Sequence, residues 1–178
     1  MSGHNKWSQI KNKKGVTDKK RSQVFSKLLR AISLAAKQND NPQYNSKLKA
    51  TMDKAKENNV PQENIERAIK KSQEVENIES LIIESYGPEG VALLIEASTD
   101  NRNRTISEIK RIISDHQGKW ADPGSVMWAF EPDTNEHVWK AKFPQKISED
   151  GERRLLSLME ALDDHGDVDE IYTNANLE

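Results

Sequence analysis

Nine lysines and arginines stand among the first thirty residues: Lys6, Lys11, Lys13, Lys14, Lys19, Lys20, Arg21, Lys27 and Arg30. They face a single carboxylate, Asp18. Cations in a segment this loose can follow a chain of phosphates, and each phosphate they neutralise releases counterions. Trp7 adds a ring able to stack on an unpaired base, which suits RNA or a single strand better than a closed duplex. The same indole could instead anchor the arm on the helices that follow it. A second basic point is Asn101-Arg102-Asn103-Arg104, between an expected strand and an expected helix. Orphan backbone N–H groups at a helix start favour an anion, and Arg102 and Arg104 could clamp a phosphate there. The alternative is a capping loop whose arginines pair with nearby carboxylates.

Groups for catalysis do not converge. His4, His116, His137 and His165 lie far apart, none at a metal-ligand spacing. No phosphate-binding glycine loop, dinucleotide fingerprint or nucleophile elbow occurs. Gly87-Pro88-Glu89-Gly90 reads as a hairpin turn, since Glu89 would repel a phosphate. Glu96 and Asp100 could form a carboxylate pair, but an Asp at a strand end before a helix is more often a cap. No catalytic residue, cofactor, metal or small-molecule substrate is expected.

The chain has 178 residues, 34% hydrophobic and 31% charged, and no cysteine. Disulfides, thiol nucleophiles and thiolate metal sites are therefore excluded. No apolar run is long enough for a membrane span, and a cytoplasmic protein is expected. The net charge of −2 hides a split. Residues 1–71 hold 17 Lys and Arg against 6 Asp and Glu, whereas residues 72–178 hold 10 against 23. Halves of opposite sign indicate two modules, the basic one suited to a polyanion. Docking of the basic half on the acidic half is the competing explanation.

Periodicity supplies the elements. From Thr17, residues Val24, Phe25, Leu28, Leu29, Ile32, Ala35 and Ala36 recur at helical spacing up to the breakers at 38–42. A second helix fits 44–58 around Leu48, Met52 and Ala55. A third begins at Pro61, taken as its first residue, with Ile65, Ala68 and Ile69 inward. Residues 72–80 read as a linker. Then come strands in LIIESYG and GVALLIEAST, a helix over 104–117 stopped by Gly118, and strands in SVMWAF and HVWKAKF. A long helix in SEDGERRLLSLMEALDD and a closing strand in DEIYTNA follow. Trp128 and Trp139 are assigned to core or sheet surface. The order predicts a basic three-helix domain over 1–74 and an acidic α+β domain over 75–178, with a mostly antiparallel sheet against two helices.

The stretches SGHNKWSQIKNKKGVTDKKRSQVFSKLLRAI, NNVPQENIERAIKK, YGPEGVALLIEASTDNRNRT, PGSVMWAF and IYTNANL, in this order, resemble the YebC/PmpR family. That family includes the mitochondrial translational activator of a cytochrome oxidase subunit. The resemblance implies a helical N-terminal domain, an α+β domain, no catalysis, and a cytoplasmic role in gene expression. It implies either a DNA-binding transcriptional regulator or a ribosome-associated factor aiding translation of proline-rich stretches. One departure is plain. The family's third domain, inserted after the segment matching SVMWAF, is absent near 131–142 of this chain, and what it supplies cannot be carried over.

The resulting expectation is a non-enzymatic nucleic-acid-binding regulator, most directly a translation factor on ribosomal or transfer RNA. A regulator on promoter DNA using the same surface is the rival, and a protein-interaction module stands third.

Overall fold

The computed structural model describes residues 18–73 and 78–177, with Trp7 and Gln9 ahead of them. These divide into two compact units, one spanning 16–79 and one spanning 80–178 together with the segment that contains Trp7.

In the first unit, α1 (Asp18–Ala36), α2 (Ser46–Glu57) and α3 (Gln62–Lys70) close on one core. Leu28, Ile32, Ala35, Ala36, Leu48, Ala55, Val60 and Ile65 are buried together, with Val24, Phe25, Leu29 and Met52 packed around them. The stripes read from spacing meet as expected, because residues three and four apart share a helix face. Asn45 joins two of these helices. Its side-chain oxygen accepts from Leu48 N–H at 2.9 Å, while its amide nitrogen donates to the carbonyls of Ala35 (2.8 Å) and Asn39 (2.6 Å). Asn59 takes a left-handed φ of 59° after α2. Val60 N–H then reaches Ala55 O and Asn59 N–H reaches Lys56 O, which is a Schellman stop. Pro61 occupies the cap position before α3, one residue earlier than its expected place as first helical residue.

In the second unit a four-stranded sheet runs in the order β3-β1-β2-β6. Its strands are β1 (Glu79–Tyr86), β2 (Ala92–Thr99), β3 (Lys119–Trp120) and β6 (Val168–Thr173). β3 is antiparallel to β1 and β6 to β2. α4 (Arg102–Asp115) and α5 (Glu149–Asp163) lie between strands in the chain. One sheet face gives Leu81, Ile83, Leu93, Ile95 and Ile171 to a core shared with Ile109, Ile113, Leu155, Leu158 and Met159 of these helices. The alternate residues Ala92, Leu94 and Tyr172 face a second core with Ala121, Val126, Ala129 and Phe130. A strand covered on both faces reads as a continuous apolar run, as β2 does.

Three local expectations are revised. SVMWAF is not a strand: Met127–Ala129 is a 3-10 turn, and β4 is Phe130–Asp133, paired antiparallel with β5 (Val138–Ala141). The cause is Glu84, a buried carboxylate on β1. It accepts N–H donors from Gly124 (2.6 Å), Val126 (2.7 Å) and Met127 (2.9 Å), which coils the segment before Trp128. Gly118 does not supply the left-handed residue that ends α4. Gln117 does, at φ 60°, and Gly118 is needed because a Cβ would meet Tyr86 O at 3.0 Å. The third revision is β3, whose two residues are too few to leave a periodic signal and which joins the sheet unannounced.

Candidate nucleic-acid interface

α1 places Lys20, Lys27 and Arg30 half-buried along one side, away from the apolar stripe, with Arg21 exposed near its start. Lys19 also lies in α1. Lys6, Lys11, Lys13 and Lys14 lie outside the described residues.

The structure adds cations beyond those singled out from the sequence. On α2, Lys47 and Lys54 flank one side of the stripe formed by Leu48, Met52 and Ala55, and Lys49 and Lys56 flank the other. All four are exposed. Arg67, Lys70 and Lys71 are exposed on and just after α3. The signal is in the sequence: in SKLKATMDKAKE lysines bracket the inward residues Leu48 and Ala55.

Two expected contacts are corrected. Trp7 is 6% exposed and packs in the core of the second unit with Leu81 and Ile83 among its members. Its ring is therefore not offered to a base, because burial among aliphatic groups of the sheet face is the more favourable use of so large an apolar surface. The paired-arginine clamp does not form either. Arg104 donates to Asp167 at 2.8 Å and to Asp100 at 3.0 Å. The hydrogen bond and charge of Asp167, then Asp100, hold its guanidinium above the ordinary value. Arg102, two positions earlier on the helix and so on another face, lines a shallow groove with Leu81, Ile83, Ile106 and Trp120.

The carboxylates considered for catalysis are likewise occupied. Glu96 accepts from Trp139 Nε1–H at 3.0 Å and from the Tyr172 hydroxyl at 3.4 Å, and Asp100 holds Arg104. Burial, then the charge of Glu96, pushes the Tyr172 phenol far up. Glu89 lies over the start of α5, where its carboxylate accepts from Ser148 N–H at 3.1 Å and from the Ser148 hydroxyl. These bonds lower its pKa. Glu89 thus takes the anion position at a helix N-terminus itself.

One metal-like grouping exists among the described residues. Donor atoms of Glu108, His165 and Asp167 lie within 4.8 Å of one another. Each is committed: His165 Nε2 faces Glu108 at 2.8 Å, His165 Nδ1 accepts from Asp167 N–H, and Asp167 also accepts from Thr105 Oγ1–H at 2.6 Å. Burial raises the Asp167 pKa, but Thr105 and Arg104 outweigh it and leave the carboxyl below its ordinary value. The Arg104 guanidinium already supplies the positive charge a cation would bring.

Comparison with known proteins follows the same two-part division. The TACO1/YebC protein N-terminal domain matches residues 5–75, and the TACO1/YebC second and third domain matches residues 78–134. A relative from Geobacter sulfurreducens, "Probable transcriptional regulatory protein", is 36% identical over 99% of this chain and 96% of its own length. The chain belongs to the TACO1/YebC family. A relative of the same name from Pseudothermotoga lettingae is 50% identical over 135 residues, 74% of this chain and 53% of the relative's length. The chain thus matches about half of that family member. A solved structure of a conserved hypothetical protein from Aquifex aeolicus is 30% identical, with a TM-score of 0.83 and 97% coverage of both chains. The alignment with the Geobacter protein runs over 238 positions against 178 residues in this chain, so about sixty positions of this family member face no residue of it. The second- and third-domain match stops at residue 134, in the four-residue turn between β4 and β5.

Proposed function

We propose that this TACO1/YebC-family chain is a non-enzymatic regulator of gene expression that binds nucleic acid through its basic helical unit and N-terminal arm. The supporting observation is the set of exposed cations on α2. Lys47, Lys49 and Lys56 enter no ion pair among the described residues. Together with Lys6, Lys11, Lys13, Lys14, Lys19, Lys20, Arg21, Lys27 and Arg30, they provide the footing that phosphate neutralisation requires.

RNA on the ribosome is the target this reading favours. α2 and α3 are joined by the four residues 58–61, as in a DNA-reading helix-turn-helix. However, the second of the pair opens with Glu63 and Glu66 exposed, and carboxylates there would face the phosphates lining a groove. The names of the relatives favour the second reading, a transcriptional regulator on promoter DNA using the same surface.

Anisotropy titrations of labelled single-stranded RNA and duplex DNA across a salt series test the proposal. About six phosphate contacts give a slope of roughly −4 to −5 in log affinity against log salt. A K47E/K49E/K56E variant should flatten that slope by about two to three units and leave the helical content unchanged. A salt-independent wild type, or a triple variant with unaltered slope, refutes nucleic-acid binding by this face. Co-sedimentation with ribosomes, outcompeted by RNA but not by duplex DNA, separates the first target from the second.

A further inference from the structure

Beyond the helical unit, the second unit exposes two large aromatic rings side by side. Trp128 is 63% and Phe143 54% exposed, with ring centroids 5.6 Å apart and planes inclined by 45°. Lys142 Nζ lies 5.9 Å from the centre of the Phe143 ring. Single apolar side chains at a surface need no explanation; two touching aromatics beside a lysine do.

The backbone beneath them is pinned at several points. Trp128 Nε1–H donates to Ser125 O at 2.8 Å. Lys142 N–H donates to Ala129 O at 2.8 Å, and Asn174 Nδ2–H donates to Phe143 O at 3.1 Å. Glu84 fixes the turn that precedes Trp128 through the amides of Val126 and Met127. Rings held this way lose little freedom when something stacks on them.

We propose that Trp128 and Phe143, with Lys142 beside them, form a stacking platform for unpaired nucleobases. The proposal rests on the nucleic-acid reading above and adds a site to it. Local charge selects this occupant. Asp133 and Glu136 are drawn onto Lys140 Nζ, at 2.6 and 3.2 Å, and Glu131 faces Lys140 across the β4–β5 ladder. Lys142 and Lys146 remain exposed and in no ion pair among the described residues. Aromatic faces with neighbouring cations are the combination that holds single strands without reading their sequence. A stacked base needs a free π-face and a cation within reach of the adjoining phosphate, and this surface offers both.

The test uses the full chain, a fluorescent oligouridine RNA, and a duplex DNA of equal length. W128A should weaken oligouridine binding about ten-fold, the size of one base–aromatic stack. Duplex affinity and the salt slope should stay unchanged, because no phosphate contact is removed. W128F, which keeps a ring but loses the bond to Ser125 O, should remain within about three-fold of wild type, and F143L should behave like W128A. A K11E/K13E/K14E variant should instead weaken both ligands and flatten the slope. If that variant loses binding while W128A binds oligouridine like wild type, the platform is wrong and the function stands. If wild type binds neither ligand, both fall. W128A that abolishes self-association in sedimentation while leaving RNA affinity intact assigns the face to a second copy of the chain and overturns the platform.

Discussion

Glu84→Ala should destabilise the second unit by about 3–5 kcal/mol. The side chain is 5% exposed, and its two oxygens accept the amides of Gly124, Val126 and Met127 at 2.6, 2.7 and 2.9 Å. Each buried donor left without a partner costs about 1–3 kcal/mol, so three give a gross loss of about 3–9 kcal/mol. Two effects reduce it: a charge no longer has to be held out of water, and a relaxed loop admits solvent to some of the amides. Glu84→Gln separates hydrogen bonding from volume. Its carbonyl oxygen can keep Val126 and Met127, but its NH2 group then opposes the Gly124 N–H, and the expected loss is about 1–2 kcal/mol. Urea unfolding followed by tryptophan emission isolates this unit. All four tryptophans (7, 120, 128 and 139) belong to it, and residues 16–79 contain none. With a slope of about 2 kcal/mol per molar urea, Glu84→Ala lowers the midpoint by roughly 2 M. A loss below about 1 kcal/mol for the alanine variant, or equal losses for both variants, refutes Glu84 as the group that coils residues 121–127.

Two further outcomes follow from the same kind of accounting. Asn45→Ala removes the α2 cap and orphans the carbonyls it binds, and should cost the helical unit about 2 kcal/mol. That loss appears in far-UV circular dichroism, while the tryptophan transition stays in place; a shifted emission midpoint with unchanged helix melting contradicts it. Asp133 is lowered to about 2 by the Lys140 ammonium, then by the amides of Glu136 and Asn135. A depressed carboxyl stabilises the fold above its ordinary pKa of about 3.8 and loses that contribution as pH falls toward 2. Lys140→Met should move its NMR titration midpoint up toward 3.8, and an unmoved midpoint removes Lys140 as the cause.

Much of the architecture is legible in one dimension because it depends on periodicity. The stripe from Val24 to Ala36 and the run LLSLMEAL name their own inward faces, and the burial of Ile32 and Leu155 agrees with them. The helix starts are less legible: Asn45, Asn101 and Ser148 each cap the helix that follows through a side-chain oxygen, whereas spacing begins two of these helices at 44 and 104 and offers Asp100 as the cap. The charge split between the halves is equally a property of order along the chain.

What spacing alone left undecided concerns groups brought together from far apart in the chain. Glu84 lies 42 residues from Val126, so SVMWAF reads as a strand although a distant carboxylate coils it. Arg104 meets Asp167 across 63 positions, which for this arginine decides between a phosphate clamp and pairing with the acidic half in favour of the second. Trp7 is polar-flanked and looked free to stack, yet the cavity that accepts it is built by strands more than seventy residues later. Trp128, assigned to core or sheet surface, stands exposed on a 3-10 turn instead of in a strand. In each case the residue type set what the side chain was able to do, and its three-dimensional neighbours set which of those things it does. The reason is physical: burial and pairing energies depend on distance in space, to which position along the chain is only a guide over the few residues of a single helix or strand.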